Sequence, residues 1–297
     1  IYEEKSVKFE GVIGLNINVL KTILELIGPV PLPEYELVID KNNFLIEIQR
    51  EVETGRDKKP GNNPKKILSV LTPIVLEKLN QLPDKERQLF TESLKNHLER
   101  KDIMIFAKDQ NLANLFSEIK LNGEVYDLPN NFWGSYLAVV NANIAGGKSD
   151  VFINQTIEGK IDIDTEGGIF TDLKIEREHT GKNQKDPWWR ADNKNFIQIF
   201  TNPGSNLISV NGNNPRTKNT QTDYKILNYE TNSDLEAIES TQIFLNNFQT
   251  WISQAFGKTV FATWFNTPAG KSNSLNLRYQ SQTAKDFQIE NGKIYQF

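Results

Sequence analysis

The chain has 297 residues, of which 38% are hydrophobic, 24% charged and 10% aromatic, and its formal net charge is -4. This length and apolar content are sufficient for two globular domains, while the acidic balance argues against nucleic acid as a main partner, because a phosphate backbone calls for a basic face. The sequence contains no cysteine, which excludes disulfides, thiol catalysis and zinc-thiolate sites.

The start of the chain predicts that it is part of a longer precursor. It begins at Ile1, without an initiator Met, and enters a strand-like pattern almost at once. No signal peptide and no run of ~18 apolar residues is visible. We therefore expect any signal or membrane anchor to lie upstream of Ile1.

The first half alternates short apolar runs with helical periodicity. GVIGLNI (11–17) predicts a buried strand, and the following apolar spacing predicts a helix that Gly28 and Pro29 end. Asn63 and Pro64 predict the cap and first residue of a later helix, which Pro73 should kink or divide. Further elements are predicted at ELVI (36–39), from Phe44, at 84–100, at DIMIFA (102–107) and at 109–119. Strands that alternate with helices indicate a layered α/β domain over residues 1–147.

After Lys148 the hydrophobic period changes from 3.6 to 2. Residues 151–178 alternate around a Gly-Gly turn, which predicts a long hairpin. Short strands punctuated by NPG, NGNNP and TPAG follow. This half, residues 148–297, is predicted to be an antiparallel β-sandwich, giving an α+β chain overall. Residues 234–256 fit helix and strand equally well.

The stretch NANIAGGKSD (141–150) ends like a phosphate-binding P-loop, but it departs from that pattern twice. The motif needs Gly where Ala142 stands, and it must open a helix, whereas β-patterned sequence follows Lys148. We therefore predict no nucleotide partner, and a glycine turn at the end of the first domain with Lys148 exposed.

Two other motifs suggest chemistry only weakly. KIDIDTEGG offers Asp162, Asp164 and Glu166, but the spacing fails the calcium-loop template, so a hairpin is favoured and no metal site is predicted. The histidines, His97 and His179, are interpreted as a solvated helix-end residue and a loop residue. No GxSxG elbow accompanies them, so serine hydrolase chemistry receives little weight.

The segment from Gln49 to Lys66 is the most interesting candidate. Acidic residues nearly offset its positive charge, which favours a solvated charged loop. Arginines beside a helix N-terminus are also what phosphate or pyrophosphate binding requires, so that alternative stays open. The candidate phosphate-binding residues are Arg50, Arg56, Lys58, Lys59, Lys65 and Lys66.

Trp188 and Trp189 stand together in the polar stretch DPWWRADNKN. Adjacent residues of an extended segment point to opposite sides, so at least one ring is expected to be exposed. Stacking on a sugar, contact with a membrane surface and plugging a domain interface are the alternatives, and the plug is the commonest outcome.

Four segments together resemble a bacterial family, the domain of unknown function 4012 (DUF4012) family. They are GVIGLNINVLKTILELIGPVPLPEY, NFLIEIQREVETGRDKKPGNNPKKILSVL, VVNANIAGGKSD and GKTVFATWFNTPAGKSNSLNLRY. The resemblance implies a protein outside the cytoplasm, anchored by an upstream transmembrane helix, with further domain sequence before Ile1.

The first segment also resembles, more distantly, the LytR-CpsA-Psr family of glycopolymer transferases. That resemblance implies a shared scaffold in which arginines grip a polyprenyl pyrophosphate and acidic residues hold magnesium. Arg50 and Arg56 fall in roughly the corresponding region. A shared scaffold says much less about activity.

Two functions are expected from these observations. The first is a non-catalytic, membrane-anchored envelope protein that binds a cell-envelope polymer or a protein partner and has no evident cofactor. The alternative is a diverged glycopolymer phosphotransferase that acts on a polyprenyl-pyrophosphate-linked substrate with magnesium, through the basic segment.

Overall fold

The computed structural model describes residues 8–59, 61–129, 134–144, 146–165, 168–215 and 228–281. The protein is a mixed α+β chain that divides into two compact units, Ile1–Tyr126 and Asp127–Phe297. Every strand ladder in these ranges is antiparallel.

The first unit contains five helices and four short strands within its described residues. In chain order they are β1 (Gly11–Leu15), α1 (Ile17–Ile27), β2 (Val30–Leu32), β3 (Leu37–Ile39), α2 (Phe44–Thr54), α3 (Lys66–Asn80), α4 (Asp84–Glu99), β4 (Ile103–Ala107) and α5 (Gln110–Glu118). The strands form two two-stranded sheets, β1 with β4 and β2 with β3.

Local chemistry explains where these helices begin and end. The Asn16 side chain accepts a hydrogen bond from the Asn18 N–H at the start of α1, and Gly28 ends the helix at φ 72° as predicted. Asn63 accepts from the Lys65 N–H in a turn that precedes α3, so this helix begins at Lys66, slightly later than expected. Pro73 lies inside α3 without dividing it.

Two apolar clusters form the core of the first unit. One joins α1, α2 and α3 to the β2–β3 sheet, and the other joins α1, α3 and α4 to Ile103 and Ile105 of β4. The helices therefore cover one face of β4.

The first strand was predicted to be buried, and that prediction is wrong. All five residues of β1 are exposed, with Val12 at 59%, Ile13 at 64% and Leu15 at 50%. On β4, Met104 and Phe106 are also exposed. An apolar run indicates that a strand can be buried, but burial also requires other elements that pack on its faces. In the described residues, β1 belongs to a two-stranded sheet with β4.

The second unit contains two sheets and one helix within its described residues. Its elements are β5 (Ala138–Asn143), β6 (Ile153–Ile163), β7 (Ile169–His179), β8 (Asn193–Thr201), β9 (Asn206–Asn211), α6 (Ser233–Ser240), β10 (Ile243–Leu245), β11 (Thr250–Ala255), β12 (Lys258–Thr267) and β13 (Ser272–Ser281). The sheet orders are β10-β11-β12-β8-β5 and β6-β7-β13-β9.

The predicted long hairpin is confirmed as β6 and β7, which pair over eleven residues each. The ambiguous residues 234–256 contain most of α6, then β10 and the whole of β11. Strand β5 lies before residue 147, the boundary expected from the sequence, yet it pairs with β8 inside the second unit. One buried cluster draws on both sheets, with side chains from β7, β8, β12 and β13.

Candidate functional site

The basic segment is held by ion pairs with neighbouring acids. On α2, an Arg50 Nη lies 2.7 Å from both carboxylate oxygens of Glu47. Beyond α2, the Arg56 guanidinium donates to the Glu34 carbonyl, lies 3.6 Å from the Glu34 carboxylate and stacks over the Tyr35 ring at 4.6 Å. Lys58 Nζ lies 3.0 Å from Glu53.

A buried hydrogen bond fixes the same loop to the β2–β3 region. The Tyr35 hydroxyl donates to Asp57 at 2.9 Å, and both residues are buried. Burial, and then the Asp57 carboxylate, raise the pKa of Tyr35 to about 12. Lys59, Lys65 and Lys66 are exposed to solvent. The arginines and Lys58 thus have acidic partners in and around the loop, although Arg56 and Lys58 are also exposed.

His97 lies in the last turn of α4, as predicted, but the prediction that it is solvated is wrong. It is buried; its Nδ1 lies 2.8 Å from the Asp102 carboxylate and its Nε2 lies 3.0 Å from the Thr22 hydroxyl. A carboxylate only accepts, so Nδ1 donates to Asp102, while Nε2 and the Thr22 hydroxyl share the second hydrogen bond. The bond from His97 lowers the pKa of Asp102, although burial opposes it.

This hydroxyl–imidazole–carboxylate chain has the order of a hydrolytic triad, but Thr22 lies in the middle of α1. The backbone N–H groups around a mid-helix residue are already bonded along the helix, so none is available to stabilise an oxyanion. We interpret these hydrogen bonds among Thr22, His97 and Asp102 as a polar connection between α1 and α4.

His179, predicted to be a loop residue, is the last residue of β7 and is fully buried. Its Nδ1 accepts from the Gly181 N–H, and its Nε2 donates to the Ala191 carbonyl, both at 3.0 Å. Both ring nitrogens therefore serve structural bonds that fix the loop after β7.

Two of the three acids in the suggested calcium loop have partners within the β6–β7 hairpin. Asp162 pairs with Lys160, and Asp164 accepts from the Gly168 N–H at 2.7 Å. Glu166 lies outside the described residues. Among the described residues, no group of three or more His, Asp or Glu side chains is arranged to hold a metal ion.

Within NANIAGGKSD, Gly146, Gly147 and Lys148 form the predicted turn, with Gly147 at φ 65° and Lys148 exposed. NAN (141–143) is the end of β5, so this turn lies inside the second unit and not at the end of the first. A Cβ on Gly147 would lie 2.7 Å from the Trp188 carbonyl oxygen, and the Lys148 N–H donates to that same oxygen at 3.0 Å. Glycine is therefore required both by its φ and by this close approach. The segment and the tryptophan loop are joined through this carbonyl.

Asp150, which follows the turn, belongs to a polar network that the sequence analysis did not predict. The exposed Asp150 carboxylate accepts from the Asn143 side chain at 2.7 Å and from the Asn193 side chain at 3.0 Å. Asn193 also donates to Ser149 and accepts from Arg177 at 2.9 Å. We call Asn143, Ser149, Asp150, Arg177 and Asn193 the Asp150 cluster.

Arg177 is the buried cation of this cluster and is only 3% exposed. Burial lowers the pKa of its guanidinium, while the charge of Asp150 acts in the opposite direction. Asn193 lies between the two charges and bonds both. A signal for the cluster was present in NAN (141–143) and NKN (193–195), which repeat Asn at the two-residue spacing of one strand face.

The tryptophan pair is less exposed than expected. Trp189 is 2% exposed and meets Phe152 edge to face, with ring centroids 5.6 Å apart. Trp188 is half-buried and contacts Trp189 at 6.3 Å. Trp189 therefore packs inside the second unit, and Trp188 is the ring that keeps access to solvent.

Within the described ranges, no helix is long and apolar enough to cross a membrane. No family model, curated protein or solved structure matches the chain.

Proposed function

We propose that the chain is an extracytoplasmic cell-envelope protein, anchored in the membrane through a segment upstream of it, that serves as a binding or scaffold module. Its ligand would be an envelope polymer or a protein partner. The resemblance to the domain of unknown function 4012 family supports the location, and the Asp150 cluster supports the binding role.

For the fold, we propose that the second unit is an antiparallel β-sandwich and the first a layered domain like those of LytR-CpsA-Psr proteins. The buried cluster that combines β7 and β13 with β8 and β12 supports the sandwich. The helices that pack on β4 support the layering. Under this proposal the Asp150 cluster lies at one end of the sandwich.

The observation that carries the binding role is the fixed geometry of the Asp150 carboxylate. Two side-chain amides hold it at the surface, and the loop of the half-buried Trp188 is bonded to the same segment. A prepositioned acceptor in a segment that is bonded to an aromatic loop suits a hydroxyl-rich polymer, because hydroxyls donate to carboxylates and sugar rings pack on aromatic faces. Both histidines are engaged in structural bonds, which favours binding over proton transfer.

The test is calorimetric titration of envelope polysaccharide fragments into the protein. We expect Asp150→Asn and Trp188→Ala each to weaken binding about tenfold, the scale of one charge-assisted hydrogen bond or one ring contact. Glu158→Gln, an exposed acid on β6, is the matched control and should bind normally. Unchanged affinity in both Asp150→Asn and Trp188→Ala, or equal loss in the control, would exclude this site.

The alternative function is a diverged phosphotransferase acting on a polyprenyl-pyrophosphate-linked glycopolymer. It is favoured by the exposure of Lys59, Lys65 and Lys66 around the start of α3. The acids nearest the arginines, Glu47 and Glu34, are already paired with them, which argues against a magnesium site beside these arginines.

Native mass spectrometry with polyprenyl phosphate tests the alternative. Binding that is lost on Lys65→Ala with Lys66→Ala, or on Arg50→Ala with Arg56→Ala, would support it. If the folded protein retains no lipid phosphate, the alternative fails while the polymer-binding proposal is untouched.

A further inference from the structure

Polar side chains replace apolar ones at one end of the core of the second unit. The change occurs in three strands, where the apolar sequence on the inward face ends in a polar residue that is still buried. Ile197 and Ile199 share a face with Asn195 and Asn193 on β8, Leu173 and Ile175 with Arg177 on β7, and Phe261 and Phe265 with Thr267 on β12.

Strand register brings these polar residues together. Thr267 is directly opposite Asn193 across β12 and β8, and Asn195 follows two residues later on the same face. In the other sheet, Gln155 of β6 is directly opposite Arg177. The hydrogen bond from Arg177 to Asn193 joins the two groups. We call these five residues the polar core end.

Four atoms of the polar core end are buried and have no hydrogen-bond partner among the described residues. They are Nε of Arg177, Oε1 of Gln155, Oδ1 of Asn195 and Oγ1 of Thr267. Four such atoms left unsatisfied would remove a large part of the marginal stability of a domain. Buried polar groups in native proteins are therefore bonded, to protein or to ordered water.

The donors and acceptors among these four atoms determine which ion or molecule can bind between them. The amide oxygens of Gln155 and Asn195 need a donor, the Thr267 hydroxyl can donate or accept, and the Arg177 Nε–H needs an acceptor. An anion would be repelled by the oxygens, and a cation would be repelled by the Arg177 guanidinium. Water is small and neutral, donates two hydrogen bonds and accepts others, so it satisfies both kinds of atom at once.

We propose that the polar core end is an internal hydration site, in which about one or two bound water molecules link the Arg177 Nε–H to the oxygens of Gln155, Asn195 and Thr267, at roughly three hydrogen bonds per water. This site shares Arg177 and Asn193 with the Asp150 cluster, but it does not depend on what Asp150 binds. Water here completes the bonding of the one buried guanidinium in the described part of the second unit.

A crystal structure at a resolution that shows ordered water tests the proposal directly. We expect electron density within hydrogen-bond distance of Arg177 Nε and of at least one of the three oxygens. Direct bonds among these side chains, with no density between them, would overturn it.

Oxygen-17 relaxation dispersion, which detects water held for long times inside a protein, gives a second measurement in solution. The double variant Arg177→Met with Asn193→Leu removes the charge together with its partner, so it avoids stranding a buried cation. We expect this folded variant to lose the long-lived water signal of the polar core end. The exposed control Asn276→Leu should keep that signal, and its retention in the double variant would contradict the proposal.

Discussion

Replacing Asn193 by Leu is expected to lower the free energy of unfolding of the second unit by roughly 3 kcal/mol. Asn193 is buried and bonds Arg177, Ser149 and Asp150 at the same time. Leucine fills a similar volume but leaves the Arg177 guanidinium without its acceptor in the interior. The cost of that unpaired charge exceeds the gain from burying a leucine.

Urea unfolding followed by tryptophan fluorescence measures this effect in the right unit. All five tryptophans lie in Asp127–Phe297, at positions 133, 188, 189, 251 and 264. The matched control is Asn276→Leu, which places the same side chain on an exposed position of β13 and should change stability by less than about 0.5 kcal/mol. Equal effects of the two substitutions would show that the Asp150 cluster contributes nothing to stability.

The second large effect is expected in the first unit, where His97→Ala should cost roughly 2 kcal/mol. The substitution removes both hydrogen bonds of the imidazole, so the buried Asp102 carboxylate loses its bond from Nδ1 and keeps the one from the Asn18 side chain. Far-UV circular dichroism reports on this unit, because it contains five of the six helices in the described ranges. The expected result is a lower urea midpoint for the helical signal with an unchanged tryptophan transition.

Asp102 also predicts how the stability of this unit depends on pH. Its pKa is lowered in the folded protein, so its contribution to stability is complete above the unfolded value of about 3.9 and is lost as pH falls through the lower folded value. Asp102→Asn should therefore be less stable than the wild type at neutral pH and approach it in acid. A difference that stays constant down to the lowest pH at which the unit folds would rule out this linkage.

How far the sequence predicted the structure depended on the range of the interactions involved. The helix ending at Gly28 and the β6–β7 hairpin follow from capping and from alternation, which are local properties of the chain, and both are confirmed. The bond between Thr22 and His97 joins residues 75 positions apart, and no local pattern announces it. His97 was misread for that reason.

The Asp150 cluster shows the same limit in a candidate site. Asparagines at alternate positions of two segments were visible, but only the pairing of β5 with β8 makes those segments neighbours. The basic segment was visible as a run of charge, whereas the choice of partner for each cation depends on side-chain placement. Sequence therefore identified residue types, and the fold decided which of them meet.

The exposed apolar strand β1 has a practical consequence for anyone who produces this chain. In the part of the chain that the structure describes, its outer edge has no pairing strand and carries uncharged side chains, which is a template for a further strand from any neighbouring molecule. Concentrated samples should consequently form soluble aggregates before either unit unfolds. Ile13→Lys, which puts a charge at the centre of that edge, is the first change to make when preparing material for calorimetry or crystals.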